Sequence, residues 1–332
     1  MLSFNISNID KLSYRIISYS QKKFLKFFIS FLPKKLIKKM IMSISKDKDQ
    51  KLEITSTIGC TMMCSYCPQK LITSVSTKEQ NQKKLVFDEF KDFVKNIPKD
   101  TQINWTGYTE PLLHDDFDKF VSYLNEKKFK QSISTTMHGR TKSQEFMSVY
   151  NNFEWVNFHL PDNKFLMKLK VTDDYLEKLK NAIICQTKNY KKNVTFQVIG
   201  ENFETRVKNL LDDLSKKKII SSKNIKITKT VNSRSDSLDL DSINDFKLRT
   251  IKNNIKSNYY YCSKKRLNQA VMLPDGSTNI CCMDYSLQGI VGTLKSKKLN
   301  EIYDYDSNFI ESFVKGNYPP CKKCEYYTPL VN

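Results

Sequence analysis

The chain has 332 residues, 39% of them hydrophobic, which is enough for a full-sized core with an accessory domain and excludes a wholly disordered protein. Its 55 Lys and Arg residues outnumber its 35 Asp and Glu residues, giving a net charge of +20. Nucleic acid is not the expected partner despite this charge, because the sequence contains neither a known binding module nor a basic patch interleaved with stacking aromatic residues. No apolar run is long enough to span a bilayer.

The N-terminal segment, residues 1–48, is basic and amphipathic. Residues 1–50 carry 11 basic and 3 acidic side chains. Apolar side chains recur at helical spacing in two groups: Phe24, Phe27, Phe28 and Phe31, then Ile37, Met40, Ile41 and Ile44. The pattern predicts a pair of basic helices. Residues 22–44 either contact an anionic membrane surface or pack on the rest of the protein with their lysines in water, and we favour packing.

Strand-like runs alternate with helical patterns over residues 49–238. The six runs lie at 52–57, 102–106, 131–136, 154–159, 193–199 and 224–228. The clearest helical faces are centred on residues 90–97, 117–124 and 207–214, with weaker helices at 143–150 and 173–186. Such alternation is typical of parallel strands joined by right-handed crossovers. We therefore predict an α/β fold, a partial (β/α)6 TIM-like barrel, with its site at the C-terminal ends of the strands.

Three cysteines follow the first predicted strand directly. Cys60, Cys64 and Cys67 have the spacing C-x3-C-x2-C. Three thiolates on one loop can hold three irons of a cubane cluster and leave the fourth iron open to a small molecule. The nine cysteines of the chain are odd in number and no secretory signal precedes them, so we expect metal-binding cysteines in the reducing cytoplasm. Cys185 lies in an apolar helical stretch and is interpreted as core.

This motif, including Tyr66 just before the third cysteine, resembles that of the radical S-adenosylmethionine (SAM) superfamily. The resemblance implies a [4Fe–4S] cluster on Cys60, Cys64 and Cys67 whose open iron chelates SAM. It also implies an electron donor such as flavodoxin or ferredoxin, reductive cleavage of SAM to a 5′-deoxyadenosyl radical, and hydrogen abstraction from a substrate. Three cysteines of a zinc site are the alternative.

A second segment closes the second predicted strand and also resembles the family. Gly107, Tyr108, Glu110 and Pro111 match a glycine-rich segment that ends in Glu-Pro. In relatives its backbone pairs with the amino group of SAM, so these residues are implied as cofactor-binding. The second position is usually glycine, and Tyr108 departs from that pattern.

Polar residues end the later predicted strands. The resemblance implies that Ser134 and Thr136 contact the ribose of SAM and that Arg234 pairs with its carboxylate. His159 and Asp162 end the fourth strand, where a substrate would lie, and are the catalytic candidates. A packed histidine and an ordinary surface arginine remain the alternatives for His159 and Arg234.

The remaining five cysteines lie in a predicted second domain, residues 239–332. Pro274-Asp275-Gly276 is a turn signal, so 270–282 is predicted to be a hairpin. The layout resembles the auxiliary-cluster domain of SPASM or twitch type, in the shortened form with a single auxiliary [4Fe–4S] cluster. The predicted ligands are Cys262, Cys281, Cys321 and Cys324. Alternate side chains of a strand face opposite ways, so only one of Cys281 and Cys282 is expected to face the metal, and Cys282 is a bystander or the alternate ligand. A four-cysteine zinc site is the alternative.

An auxiliary cluster with four cysteine ligands has no open iron and can take an electron from a substrate radical. The expected net reaction is therefore the two-electron oxidation of a small hydroxylated molecule, such as a sugar or cyclitol. The alternatives are a peptide- or protein-modifying enzyme of the same superfamily, a methyltransferase, and a zinc-binding module without catalysis. Peptide-modifying relatives often carry an extra peptide-binding domain, for which the first 50 residues leave no room.

Overall fold

The computed structural model describes residues 31–79, 82–139, 153–189, 193–238, 247–248 and 257–330. The predicted helices around Phe24 and at 143–150 lie outside these residues. The second basic helix is present as α1 (Lys34–Ile44) and buries Ile37 and Ile41 against the rest of the protein. No helix in the described segments combines the length and apolar character that a bilayer span requires.

Six parallel strands form the predicted partial barrel, which stays open. The strands are β1 (Lys51–Ile54), β2 (Gln102–Trp105), β3 (Gln131–Thr135), β4 (Phe153–His159), β5 (Val194–Ile199) and β6 (Ile225–Thr228), side by side in chain order. The helices that follow them are α2 (Gln69–Glu79), α3 (Phe87–Lys95), α4 (Phe117–Glu126), α5 (Asp173–Asn189) and α6 (Thr205–Lys216). The predicted fold class is confirmed.

Aromatic packing holds the helices on the outer face of the sheet. On α3 and α4, Phe90 and Phe120 are fully buried with ring centroids 5.0 Å apart, in an edge-to-face contact. Trp105 of β2 lies against Phe117, and its indole nitrogen donates to Gln131 Oε1 at 2.7 Å. The periodic apolar residues of these helices therefore form the core that their spacing predicted.

The C-terminal part extends the barrel sheet. Strand β10 (Gln269–Met272) pairs in parallel with β1, on the side away from β2, with Leu52 opposite Ala270. The remaining C-terminal elements are β7 (Thr230–Val231), β8 (Lys247–Leu248), β9 (Tyr260–Cys262), β11 (Ser277–Asn279), β12 (Ile290–Thr293), α7 (Leu299–Ile302), α8 (Ser307–Val314), α9 (Pro319–Lys322) and β13 (Tyr327–Pro329). Strands β11 and β12 continue the sheet in antiparallel fashion, so among the described residues it has nine strands.

The predicted hairpin at 270–282 is present but shorter than expected. Strands β10 and β11 pair across the turn at Pro274–Gly276. Cys281 and Cys282 lie beyond the end of β11, in a turn where Asp284 N donates to the Cys281 carbonyl at 3.1 Å. The argument that strand alternation turns only one of the two cysteines toward the metal is therefore wrong for this pair.

Candidate active site

The first cysteine motif occupies the loop between β1 and α2. Cys60 and Cys64 are buried and Cys67 is half-buried. Met63 between them has a φ of 47°, and the main chain of Ser65 donates to the Leu166 carbonyl at 2.9 Å, which holds the loop against the segment that follows β4. The three thiols thus lie on one constrained loop at the C-terminal end of a strand, as predicted.

Burial keeps the thiols of this loop protonated when no cluster is bound. Burial raises the pKa of the Cys60 thiol, and burial together with Cys67 raises the pKa of Cys64 to about 12. Protonated thiols are poor ligands, so the thiolates need the positive charge of bound irons to persist here. Two polar atoms at the end of β1, Ser56 Oγ and Thr57 Oγ1, are buried without a hydrogen-bond partner and mark this as a polar site.

Gln69 ties the loop together and was not predicted from the sequence. Its side-chain amide donates to Cys67 Sγ at 3.2 Å and to the Tyr108 carbonyl, and its carbonyl oxygen accepts from Cys60 N at 3.1 Å. One buried side chain therefore connects two of the three cysteines to the Gly107–Pro111 segment. The only sequence signal was a helix-starting glutamine two residues after the last cysteine.

Gly107 allows the close approach that the resemblance implied. Its φ is 89°, and a Cβ atom there would lie 2.1 Å from Thr55 Oγ1. The next residue, Tyr108, packs in one apolar cluster with Ile58 and Tyr285 and reaches the C-terminal domain. Its hydroxyl lies 3.0 Å from the Cys281 carbonyl and 2.9 Å from the Asp284 carbonyl, and it accepts from Asn279 Nδ2 at 2.6 Å. The tyrosine that replaces the usual glycine thus hydrogen-bonds to the C-terminal domain.

The polar cofactor candidates on β2 and β3 bond to each other. Glu110 is buried, and its carboxylate accepts from the Thr135 hydroxyl at 2.7 Å, from the Thr136 hydroxyl at 2.8 Å and from Thr136 N at 2.6 Å. Pro111 follows as the first residue of a short 3-10 helix capped by Glu110. Ser134 is half-buried and lies opposite Asn157 of β4. Only Ser134 of these hydroxyls faces the barrel interior.

Tyr66 of the cysteine loop contacts His159, the last residue of β4. The Tyr66 hydroxyl lies 3.5 Å from His159 Nε2, and the ring centroids are 5.7 Å apart. Burial and the nearby Arg234 lower the pKa of His159 to about 4, so the imidazole is neutral at physiological pH. Asp162 is buried and accepts from the main chain of Lys164, Leu166 and Met167 at 2.8–3.0 Å. Its carboxylate therefore shapes the loop after β4.

Arg234 lies between the two cysteine groups. Residues 234–236 all have φ between 53° and 65°, a strained left-handed run for non-glycine residues, and Ser233 N donates to the Glu325 carboxylate. The guanidinium carbon is 5.8 Å from the centroid of the Tyr285 ring. Burial opposes the charge, but Tyr285, Cys282 and Cys67 outweigh it and raise the pKa of Arg234, so the arginine is a fixed cation near both groups.

The second cysteine group lines one enclosed cavity of about 160 Å³. Cysteines from three C-terminal segments converge there: Cys262 at the end of β9, Cys281 and Cys282 after β11, and Cys321 and Cys324 around the end of α9. Arg234 Nε, Ser235 Oγ and Glu325 Oε2 are buried near this cavity without hydrogen-bond partners. Thiols gathered in one cavity, with Arg234 Nε and Ser235 Oγ as unsatisfied donors beside them, fit a cluster that takes its ligands from the protein.

The two adjacent cysteines have different surroundings. Cys281 packs against the same apolar cluster as Cys262 and Cys321. Cys282 packs in a cluster with Tyr285 and Cys67, but it lines the same cavity as Cys281. Burial raises the pKa of Cys324, and the nearby Cys282 adds to this shift. Near Cys282, Arg266 donates to Glu53 Oε1 at 2.6 Å, and burial raises the pKa of Glu53 to about 8.

Comparison with known proteins agrees with this geometry. The radical SAM superfamily matches residues 54–214, and an iron–sulfur cluster-binding domain, SPASM, matches residues 262–325. No curated protein sequence matches the chain. Among solved structures, the chain is similar to BtrN in complex with AdoMet and 2-DOIA, with 14% identity over 85% of this chain and 92% of that chain and a TM-score of 0.46.

Two further solved structures are similar at the same level. Native anSMEcpe with bound AdoMet shares 15% identity over 82% of this chain and 86% of that chain, with a TM-score of 0.48. SuiB of Streptococcus suis bound to the precursor peptide SuiA shares 13% identity over 84% of this chain and 70% of that chain, with a TM-score of 0.46. At this level of similarity they bear on neither substrate nor reaction. The cysteine loop and the two domain matches establish that the chain belongs to the radical SAM superfamily and carries a C-terminal SPASM iron–sulfur domain.

Proposed function

We propose that this protein oxidises a small hydroxylated molecule by two electrons, with SAM as the source of the abstracting radical and the C-terminal cluster as electron acceptor. One observation carries the proposal. Tyr285, in the turn just after Cys281 and Cys282, reaches the first cysteine loop and places its hydroxyl 3.3 Å from Cys67 Sγ. The two cysteine groups are therefore neighbours, joined by one side chain.

The roles of the chain's own residues follow from their positions. Cys60, Cys64 and Cys67 would hold the first cluster; when bound, that cluster supplies the electron that cleaves SAM to methionine and the 5′-deoxyadenosyl radical. The Gly107–Pro111 backbone and Ser134 lie where SAM would bind. Arg234 offers a guanidinium for its carboxylate, although its position near Tyr285 also allows it to neutralise charge between the clusters.

Four cysteines would hold the second cluster: Cys262, Cys281, Cys321 and Cys324. A cluster with four protein ligands offers no iron to substrate, which suits electron transfer. An alcohol carbon would lose one hydrogen atom to the radical, and the carbonyl would form when the hydroxyl proton and one further electron leave. The cluster that Cys262, Cys281, Cys321 and Cys324 would hold is suited to accept that electron. The products are the ketone or aldehyde, 5′-deoxyadenosine, methionine and one proton. Flavodoxin or ferredoxin in the cytoplasm would supply the starting electron.

His159 would receive the hydroxyl proton as a weak base. It is neutral because burial lowers its pKa to about 4, and it faces the barrel interior at the end of β4. A base of such low pKa binds the proton only transiently and passes it on. Asp162, whose carboxylate is engaged by three main-chain N–H groups, is a positioning residue for the loop that contacts Ser65.

The test is anaerobic. The reconstituted protein is assayed for iron and sulfide per chain, and for 5′-deoxyadenosine after addition of SAM and dithionite. About eight irons with 5′-deoxyadenosine formation are expected. About four irons with one zinc would retain the radical chemistry but remove the acceptor role, and neither iron nor 5′-deoxyadenosine in a folded protein would leave a zinc-binding module.

A further inference from the structure

A loop of residues 262–267 leads from β9 toward β10 and carries both Cys262 and Arg266; we call it the ligand loop. Ser45, the fully buried residue that ends α1, holds both ends of this loop. Its hydroxyl oxygen accepts from Cys262 N at 3.0 Å, and its carbonyl oxygen accepts from Leu267 N at 3.1 Å. The ligand loop therefore has a fixed position relative to α1.

The main chain of the ligand loop directs its amide groups at a predicted cluster ligand. Burial raises the pKa of the Cys262 thiol, and hydrogen bonds from the main chain of Arg266, Lys264 and Lys265 oppose that rise. Lys265 has a φ of 55°, a left-handed conformation that a non-glycine residue rarely adopts. Amide donors directed at one sulfur stabilise negative charge there, and this is one of the ways in which a protein tunes an iron–sulfur cluster.

Arg266 of the same loop lines the cavity together with the five cysteines of the C-terminal domain. Its Nη1 atom donates to Glu53 Oε1 at 2.6 Å. Glu53 is buried and also hydrogen-bonds to Cys282, but the described residues that line the cavity do not include it. The end of this ion pair that faces the second site is therefore the positive one.

Positive charge predominates in the part of the cavity wall that the structure describes. It comes from Arg234, Lys264 and Arg266, against one carboxylate, that of Asp284. The Asp284 carboxylate is already engaged by two donors of its own turn, at 2.7 Å each. Lys264 is exposed, so water and salt screen its charge. Arg234 lies between the two cysteine groups, whereas Arg266 is half-buried in the wall of the second site. Arg266 is therefore the cation best placed to act on charge held in this cavity.

We infer that Arg266 raises the reduction potential of the second cluster by stabilising its reduced state. A cluster gains one negative charge when it accepts an electron, and its potential depends on net charge, on hydrogen bonds to its sulfurs and on exposure to solvent. A fixed cation in the wall of a buried site favours the more negative state. Arg266 acts here through the cluster and is a positioning residue. The inference rests on the proposed function for the second cluster, and it adds the residue that makes this cluster a better electron acceptor.

The test is a redox titration of the anaerobic, full-length holoprotein, followed by electron paramagnetic resonance. SAM changes the signal of the first cluster, which identifies the signal of the second. In Arg266→Gln the midpoint potential of the second cluster should fall by at least about 59 mV, which corresponds to an about ten-fold lower ratio of reduced to oxidised cluster. Arg266→Lys keeps the charge and should keep most of the potential. The matched control is Lys265→Gln, which removes an exposed charge from the neighbouring position of the loop and should leave the potential unchanged.

A second variant covers the loss of stability that Arg266→Gln causes by leaving Glu53 beside a neutral amide. The double variant Glu53→Gln/Arg266→Gln replaces the ion pair by two amides, and its potential should also fall, because Arg266 and not Glu53 lines the cavity. An unchanged potential in both variants, with about eight irons per chain, would overturn the inference. An equal fall in Arg266→Lys or in Lys265→Gln would overturn it as well.

Iron content and SAM cleavage in the same samples separate the inference from the proposed function. About four irons with one zinc would overturn the inference together with the acceptor role of the second site. Formation of 5′-deoxyadenosine with an unchanged potential in Arg266→Gln would overturn the inference alone. The expected fall in potential without 5′-deoxyadenosine would overturn the proposed reaction alone.

Discussion

The Tyr285 hydroxyl lies 3.3 Å from the Sγ atom of Cys67, so a residue of the C-terminal domain hydrogen-bonds to a predicted ligand of the first cluster. A thiolate bound to iron has no proton to donate, so the phenol must be the donor. Burial and the neighbouring Cys67 raise the pKa of Tyr285, which keeps the phenol protonated. The first cluster is therefore influenced by a side chain that the barrel does not supply.

Replacing Tyr285 with phenylalanine should make the midpoint potential of the first cluster more negative. Hydrogen bonds to cluster sulfurs stabilise the reduced, more negatively charged state, and the variant loses one of the two donors to Cys67. The measurement is a redox titration that follows the electron paramagnetic resonance signal altered by SAM. Tyr305→Phe, which removes a bond from a buried tyrosine to the Leu267 carbonyl, is the control. An unchanged potential in Tyr285→Phe would contradict the assignment.

Replacing Tyr108 with phenylalanine should destabilise the junction between barrel and C-terminal domain by about 1–3 kcal/mol, because it leaves the Cys281 carbonyl without this donor. The melting temperature should fall, and the second cluster should lose iron to a chelator faster than the first. Tyr123→Phe, at a half-buried position on α4, is the control. Equal chelation rates in Tyr108→Phe and the unaltered chain would show that the contact does not support the second site.

Cys281→Ala should remove the second cluster, whereas Cys282→Ala should retain it. The reason is the sequence spacing, since four residues separate Gly276 from Cys281 as in the G-x4-C pattern of the related cluster domains, although both cysteines line the cavity. Iron per chain should fall from about eight to about four in the first variant and remain near eight in the second. Cys185→Ala on α5 is the control for general loss of a thiol. The reverse pattern would assign Cys282 as the ligand.

The stability of the protein should fall as the pH drops below about 6.5, partly through His159. The pKa of His159 is about 4 in the folded protein, below its value of about 6.5 in the unfolded chain. Between these two pH values the unfolded chain binds a proton that the folded protein does not, so the free energy of unfolding falls. At pH 5.5 this amounts to about 1 kcal/mol relative to pH 7.5. The measurement compares the melting temperatures of His159→Gln and the unaltered chain at both pH values. Identical pH dependences would show that His159 does not contribute.

Local features of the chain were predictable because their causes are local. Phe90 and Phe120 recur with their neighbours at helical spacing, and the cysteine loop follows a strand directly. The role of Tyr108 was not predictable, because its partners Asn279 and Asp284 come from a distant part of the chain. That Ser134 lies beside Asn157 was also not predictable, because it depends on the register in which β3 pairs with β4.

The neighbour of β1 was the other feature that the sequence could not give. A strand-like pattern such as that of residues 52–57 predicts that a strand forms, but it does not predict which strands pair with it. Lys51 to Ile54 pair on one side with β2, as chain order suggests, and on the other with β10, which belongs to the predicted second domain. The predicted boundary near residue 238 therefore separates two parts of the chain that share one sheet.

This shared sheet implies an order in which synthesis, strand pairing and iron loading take place. Until the ribosome has released Gln269–Met272, β1 has an unpaired edge, and the cysteine loop at its end lacks both that neighbour and Tyr285. An open strand edge invites pairing with other chains. We therefore expect the first site to be loaded with iron only after synthesis of the chain is nearly complete. A chain truncated near residue 238 is expected to aggregate before a cluster can be inserted.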